Sequence, residues 1–236
     1  MNDFVSIVVT TFNEEKYIEK CLRSRRNQSY PYKEIIGVNS ESKDKTVEIA
    51  KKYADKVVVK RCSIPEGRNI GAKESRGNLL LFVDADVVLA PNWIDTAIPH
   101  LRDNCVVAVY GDLFPMEDNV KNKLVYSIFG FTNFFSRTFA RKTLYAELGT
   151  AVMIKKYALK RIGYFSESVC IDDIDCSLRL NSVGKIKFVK QAYGYVSTRR
   201  FQKAGYLKLS LIWLLSGNTY FLFKKSLIPI YTKTFP

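Results

Sequence analysis

The sequence predicts an α/β fold: a mostly parallel central sheet flanked by helices, followed by amphipathic C-terminal helices. Three observations carry this. Through about the first half of the chain, short β-rich apolar runs alternate with charge-studded amphipathic segments, the pattern of strand-helix-strand units. The run before Asp84 is continuously apolar, as a strand covered on both faces should be. A chain of 236 residues with 47% hydrophobic content can bury one large core.

Taken in order, "VSIVVTT" is the first strand. The apolar stretch "FVSIVV" follows Asp3 with no basic segment ahead of it and is too short for a signal-peptide core, so it is expected as a buried strand. "EEKYIEKCLRSRR" is its crossover helix and "EIIGV" the second strand. "KDKTVEIAKKYA" is a helix entered through the polar turn "NSESKD". "KVVVK" is the third strand, "EGRNIGAKESR" a helix and "NLLLFVD" the fourth strand. Pro91 opens a helix that runs to about Arg102, a first-turn position where its missing N–H costs little.

Charge and cysteine content narrow the chemistry. With 37 Lys+Arg against 23 Asp+Glu the formal charge is +14, which implies an anionic partner without selecting among nucleic acid, a phosphorylated small molecule and an acidic membrane. Cys21, Cys62, Cys105, Cys170 and Cys176 are odd in number and scattered, with no Cys-X-X-Cys pair. They suggest neither a disulfide framework nor a zinc site, and a reducing cytosol is the plain expectation. His100 is the one histidine and stands away from the acidic motifs, so carboxylates have to do any acid-base work.

The fourth strand runs straight into two aspartates, "LLLFVDADVVL". Ligands of open α/β sheets sit beyond the carboxyl ends of strands, and a carboxylate there is costly unless hydrogen-bonded or bound to a cation. Asp84 and Asp86, separated only by Ala85, can both reach one hard divalent ion. An ordinary turn reads equally well from this triplet alone. A second cluster, "CIDDIDCSLRL", sets Asp172 and Asp175 three apart and Asp175 and Arg179 four apart, the spacings of one helical face. An acidic helix N-terminus favoured by the macrodipole would account for part of it.

Four ordered blocks resemble the family-2 glycosyltransferases of the GT-A (Rossmann-like) fold: "VSIVVTTFNEEKYIEKCLRS", "EIIGVNSESKDKT", "GRNIGAKESRGNLLLFVDAD" and "GTAVMIKKYALKRIGYFSESVCIDDIDCSLRL". They cover roughly residues 4 to 190. The resemblance implies an inverting transferase that uses a nucleotide-diphosphate sugar, UDP- or GDP-linked, with Mn²⁺ or Mg²⁺ held by Asp84 and Asp86. It implies that Thr11, Asn13, Glu14, Asn39, Arg68, Gly71 and Asp84 line the donor pocket. Asp173 matches the general base, with Asp172, Asp175 and Arg179 in support and Arg179 offsetting the like charges. Two positions depart from the family pattern. Asn39 stands where an Asp usually meets the nucleobase, and Asp172 stands where Glu is common.

The resemblance weakens beyond about residue 200. The reading assigns 1–200 to a catalytic domain, with 1–111 the nucleotide-sugar and metal half and 112–200 the acceptor half, and 201–236 to an amphipathic segment. Leu209 to Phe223 carries no charge but is too short, with Ser, Gly and Asn inside it, to span a bilayer, so an interfacial position on an anionic membrane is expected. Arg199 and Arg200 just ahead of it are candidates for gripping a donor or lipid phosphate. The expected protein is cytoplasmic, peripheral on the inner membrane face, with a lipid-linked acceptor and no nucleic-acid partner. The competing readings are a sugar-nucleotide pyrophosphorylase, which would need a glycine-rich loop absent from "TTFNEEKY", and a basic module that binds membrane or nucleic acid without metal.

Overall fold

The computed structural model describes residues 3–139, 151–167 and 171–223. Cys170, named above, and residues 224–236 of the expected amphipathic segment lie outside them. The elements are β1 (Val5–Thr11), α1 (Ile18–Arg26), β2 (Lys33–Asn39), α2 (Thr46–Tyr53), β3 (Lys56–Val59), α3 (Ile64–Glu74), β4 (Leu79–Val83), β5 (Val87–Leu89), α4 (Trp93–Leu101), β6 (Val106–Tyr110) and β7 (Leu113–Pro115). They continue as α5 (Val120–Phe139), β8 (Ala151–Lys155), α6 (Lys156–Arg161), α7 (Asp172–Leu180), β9 (Lys185–Phe188), β10 (Gly194–Val196), α8 (Arg199–Ala204) and α9 (Tyr206–Phe223).

The main sheet has the order β3-β2-β1-β4-β8-β6-β9, parallel except where β8 runs against both of its neighbours. Its side chains alternate between two cores, as the two-residue period of a strand requires. Val5, Ile7 and Val9 of β1 pack with Trp93, Ile98 and Leu81 on one face, while Val8 packs with Leu80, Phe82 and Val152 on the other. A smaller sheet, β5-β10-β7, forms beyond the aspartates and was not anticipated; its strands are only three residues long, below the length at which alternation is readable.

The expected strands and helices of the first half are present with shifted bounds: α2 starts at Thr46 rather than Lys43, α3 at Ile64 rather than Glu66 and α4 at Trp93 rather than Pro91, and two further differences bear on the site. The first helix starts at Ile18 rather than Glu14, because Asn13 adopts a left-handed φ of 52° and turns the chain. β4 ends at Val83, one residue before the expected Asp84, and the Val87 N–H donates to the Asp84 carbonyl at 3.2 Å, so Asp84 to Val87 is a turn. α3 begins with a complete capping box, Ser63 and Glu66 each bonding the other's backbone N–H, which fixes the entry of the helix that carries Arg68.

α3 lies close on β1 because Gly71 has no side chain: a Cβ there would stand 2.2 Å from Val8 Cγ1. Gly71→Ala should therefore lower stability by about 1–3 kcal/mol through overpacking. Urea unfolding beside the wild type measures this; an unchanged midpoint would mean that the α3–β1 contact is looser than the structure has it.

Candidate active site

The carboxyl ends of β1 and β2 present two turns that are fastened to each other. Asn39, fully buried at the end of β2, donates from Nδ2 to Thr11 Oγ1 at 2.9 Å and to Ser42 Oγ at 2.7 Å, and its Oδ1 accepts the Ser42 N–H at 2.8 Å. The Asn13 N–H donates to Ser42 Oγ at 2.8 Å, and Asn13 Oδ1 accepts the Lys43 N–H at 3.0 Å. The Glu14 N–H donates to Thr46 Oγ1 at 2.7 Å. An amide serves Asn39 here because it can donate to two hydroxyls and accept from a backbone N–H at once, which a carboxylate cannot do.

At the end of β4 the Asp84–Val87 turn is braced from beneath. Arg25 is fully buried and donates from Nη2 to the Asp84 carbonyl at 2.6 Å and from Nη1 to the Val87 carbonyl at 3.0 Å. No motif quoted above singles out Arg25. The signal was present: Ile18, Cys21, Leu22 and Arg25 follow the i, i+3, i+4, i+7 spacing of a buried helical face, so this arginine had to meet an acceptor inside.

Arg68 joins the two acidic motifs. Its guanidinium, 5% exposed, donates from Nη2 to Asp84 Oδ1 at 3.1 Å and from Nη1 to Asp172 Oδ2, and it lies 5.5 Å from the centre of the Phe165 ring. Neighbouring Asn69 locks the same region by bonding Phe165 through both its amide groups, each at 2.9 Å. Asp172 is thus directed at Arg68, whereas Asp175 bonds Arg179 and receives the Tyr220 hydroxyl at 2.6 Å. The Asp175–Arg179 ion pair expected from the four-residue spacing is present; Arg179 Nη1 also donates to the Ile162 and Tyr164 carbonyls, both at 2.6 Å, and Arg68 is the guanidinium that favours ionised Asp173.

Asp86 is only 4% exposed, because the small sheet closes over the turn and the Ser197 N–H bonds the Asp86 carbonyl at 3.1 Å. Arg199 lies 3.3 Å from the Asp86 carboxylate and clasps both Glu14 oxygens with its two terminal nitrogens, its guanidinium 4.5 Å from the centre of the Tyr17 ring. The charge of Arg200 also acts on Glu14 and Asp86. The first and last parts of the described chain therefore meet at one carboxylate.

Burial raises the proton affinity of Glu14, Asp86 and Asp172 above the ordinary carboxylate range, with the arginines opposing it. Asp173 is pushed up to about 6, first by burial and then by the adjacent Asp172 carboxylate. Five carboxylates (Glu14, Asp84, Asp86, Asp172 and Asp173) thus share a site with Arg68, Arg199 and Arg200, while Arg25 uses its bonded N–H groups on backbone carbonyls. Such an excess of carboxylate suits a hard divalent cation. Among the described residues no three His, Cys, Asp or Glu side chains converge on one point. Asp84 and Asp86 fit the sparse protein ligation of an ion that takes its other oxygens from water and phosphate.

The model of the family described as glycosyl transferase family 2 matches residues 6–163, which contain both turns, Arg68 and the two aspartates after β4. The chain belongs to glycosyl transferase family 2. Curated relatives include glycosyltransferase GlyA of Streptococcus pneumoniae, 22% identical over 67% of this chain and 23% of its own length. Glycosyltransferase AglE of Haloferax volcanii is 29% identical over 47% of this chain and 39% of its own length. The chain thus spans well under half the length of these relatives. Among solved structures, the mannosyltransferase PcManGT of Pyrobaculum calidifontis, in complex with GDP-Man and Mn²⁺, superposes with a TM-score of 0.70 at 19% identity, covering 97% of this chain and 66% of that one. Staphylococcus aureus TarS 1–349 with UDP-GlcNAc gives 0.65 at 20% identity, covering 83% and 59%. Both likenesses bear out the GT-A fold.

The position of Asp172 makes a prediction about Asp173. Asp172→Asn removes the neighbouring negative charge and one partner of Arg68, both of which should ease ionisation of Asp173. Carboxyl ¹³C NMR of aspartate-labelled protein should find the Asp173 titration moved from about 6 toward the ordinary aspartate value without reaching it, because burial remains the largest cause. A titration that stays in place would remove Asp172 as a cause.

Proposed function

We propose that this protein transfers a sugar from a nucleotide-diphosphate sugar to an acceptor hydroxyl or phosphate, inverting the anomeric carbon in a single displacement. The observation that carries this is Arg68 bridging Asp84 and Asp172, which sets a pair of carboxylates suited to a diphosphate-bound cation beside an aspartate of raised proton affinity. The complexes of PcManGT with GDP-Man and Mn²⁺ and of TarS with UDP-GlcNAc support a nucleotide-sugar donor.

In this mechanism Asp84 and Asp86 hold Mn²⁺ or Mg²⁺, which when bound neutralises charge on the leaving diphosphate. The fastened turns of Thr11, Asn13, Glu14 and Asn39 form the wall against which the nucleoside lies. Asp173 accepts the proton of the acceptor hydroxyl as that oxygen attacks from the face opposite the diphosphate. With Asp173 near 6, it is ionised and competent at neutral pH, and the rate should fall as pH drops through about 6. Arg199 and Arg200, at the acidic pole, are available to the diphosphate. The acceptor in this reading is lipid-linked, and the enzyme works peripherally at the cytoplasmic face of a membrane.

The pyrophosphorylase reading has no such support. The backbone N–H groups of Asn13, Glu14 and Glu15, which would have to cradle phosphate, are bonded to Ser42, Thr46 and Asp44.

Two substitutions test the roles separately. Asp173→Asn keeps the shape but cannot take a proton, so transfer should fall by a factor of about 100 or more while nucleoside-diphosphate binding stays near wild type. Turnover within a few-fold of wild type would move the base elsewhere. Asp86→Asn, chosen over alanine because Asp86 is buried, should abolish Mn²⁺-dependent binding of nucleoside diphosphates in calorimetry, with circular dichroism verifying the fold. Retained metal-dependent affinity would refute the cation assignment.

A further inference from the structure

The net positive charge of this chain is concentrated in two segments. Segments 119–146 and 197–236 contain five and seven Lys or Arg and no Asp or Glu, so together they hold twelve of the fourteen net charges. These segments include α5, α8 and α9, which dock on one another through a small core of Val125, Phe201 and Leu209. Polar contacts fix the arrangement. The Tyr206 hydroxyl donates to buried Asn122 Oδ1 at 2.7 Å, Asn122 Nδ2 donates to Thr198 Oγ1 at 3.2 Å, and Glu117 accepts from both the Thr198 N–H and its hydroxyl.

With these helices already docked, each still turns an apolar stripe outward. On α5, Val120, Leu124 and Ile128 are 82%, 61% and 46% exposed; on α9, Leu207, Leu211 and Leu215 are 76%, 49% and 55% exposed. Both stripes recur every four residues, so each runs along one side of its helix. Lys121, Lys203 and Lys208 stand exposed among them. Stripes of this kind mark an interaction surface rather than scattered surface leucines.

We propose that the outer faces of α5 and α9 dock on an anionic lipid bilayer. Lysines beside exposed leucines match a headgroup region that is negative at its surface and apolar just below it. A second copy of the chain fits poorly, because a symmetric contact would bring two of these acid-free segments together. Nucleic acid would engage the charges but leave the leucines in water. Among the described residues no helix is long and apolar enough to cross a membrane, so the contact is interfacial.

The surface is tied to the active site at both ends of the α8–α9 pair. Arg199, the first residue of α8, holds Glu14 and Asp86, and Tyr220 near the end of α9 holds Asp175 on the helix that carries Asp173. Docking would thus fix the acceptor side of the site relative to the bilayer. The surface itself is argued independently of the transfer reaction.

The test is flotation of the full chain with vesicles of phosphatidylcholine alone or mixed with phosphatidylglycerol, with nucleoside-diphosphate binding measured on the same samples. The chain should float with the mixed vesicles and not with phosphatidylcholine alone, and added salt should weaken the binding without abolishing it. The double substitution Leu124→Glu and Leu211→Glu, at exposed positions and with its fold verified by circular dichroism, should cut the bound fraction tenfold or more and leave nucleotide binding unchanged. Leu124→Ala with Leu211→Ala should give an intermediate loss. A chain that stays off mixed vesicles at low salt overturns the proposal, as does binding indifferent to both leucine pairs, or a dimer in ultracentrifugation that the leucine substitutions dissociate while vesicles do not bind.

Discussion

The guanidinium of Arg68 is the constraint around which the site is organised. It is nearly inaccessible and bonded on one side to Asp84, at the end of β4, and on the other to Asp172, at the start of α7, more than eighty residues later in the chain. In a low-dielectric setting neither partner is dispensable. Removing one member of a buried, hydrogen-bonded charge pair typically costs about 3–5 kcal/mol, because the charge left behind has no water. The α3 helix that presents Arg68 is fixed in turn by its capping box and by the close approach that Gly71 allows, so local backbone features set the position of the bridge.

The same logic recurs at two further places. Arg25 supports the Asp84–Val87 turn from the core, and Arg199 closes over Glu14 and Asp86 from the opposite end of the described chain. Asp84 and Asp172 meet Arg68, and Glu14 and Asp86 meet Arg199, yet carboxylates remain in excess. Burial, with a smaller contribution from the neighbouring carboxylates, raises the proton affinity of Glu14, Asp86, Asp172 and Asp173. The chain is basic overall yet concentrates negative charge at this spot: twelve of its fourteen net charges fall in segments 119–146 and 197–236, which contain no Asp or Glu.

That separation gives the molecule two poles. The acidic pole is built on the sheet and, in the proposed reaction, is where the cation and diphosphate would lie. The basic, leucine-striped pole is built from α5, α8 and α9. Arg199 and Tyr220 connect the poles through short polar contacts rather than through a flexible linker, so a contact at the outer helices bears directly on α7 and on the turn after β4.

The sequence by itself determined the α/β class, the order of the first strands and helices, and the residues that would crowd the strand ends. These follow from local periodicity and from the cost of a carboxylate after a buried strand, both of which are written in consecutive residues. The Asp84-Ala85-Asp86 triplet and the acidic stretch from Asp172 to Asp175 were legible for that reason. Only the tertiary structure decided which guanidinium meets which carboxylate. Arg68 bridges two motifs, Arg25 lies inside on backbone carbonyls, Arg199 meets Glu14 and Asp86, and Asp86 is covered by a sheet of three-residue strands. Such pairings join residues far apart in the chain, and their partners are chosen by which side chains the packed sheet brings within hydrogen-bonding distance, a quantity that no local pattern of residues contains.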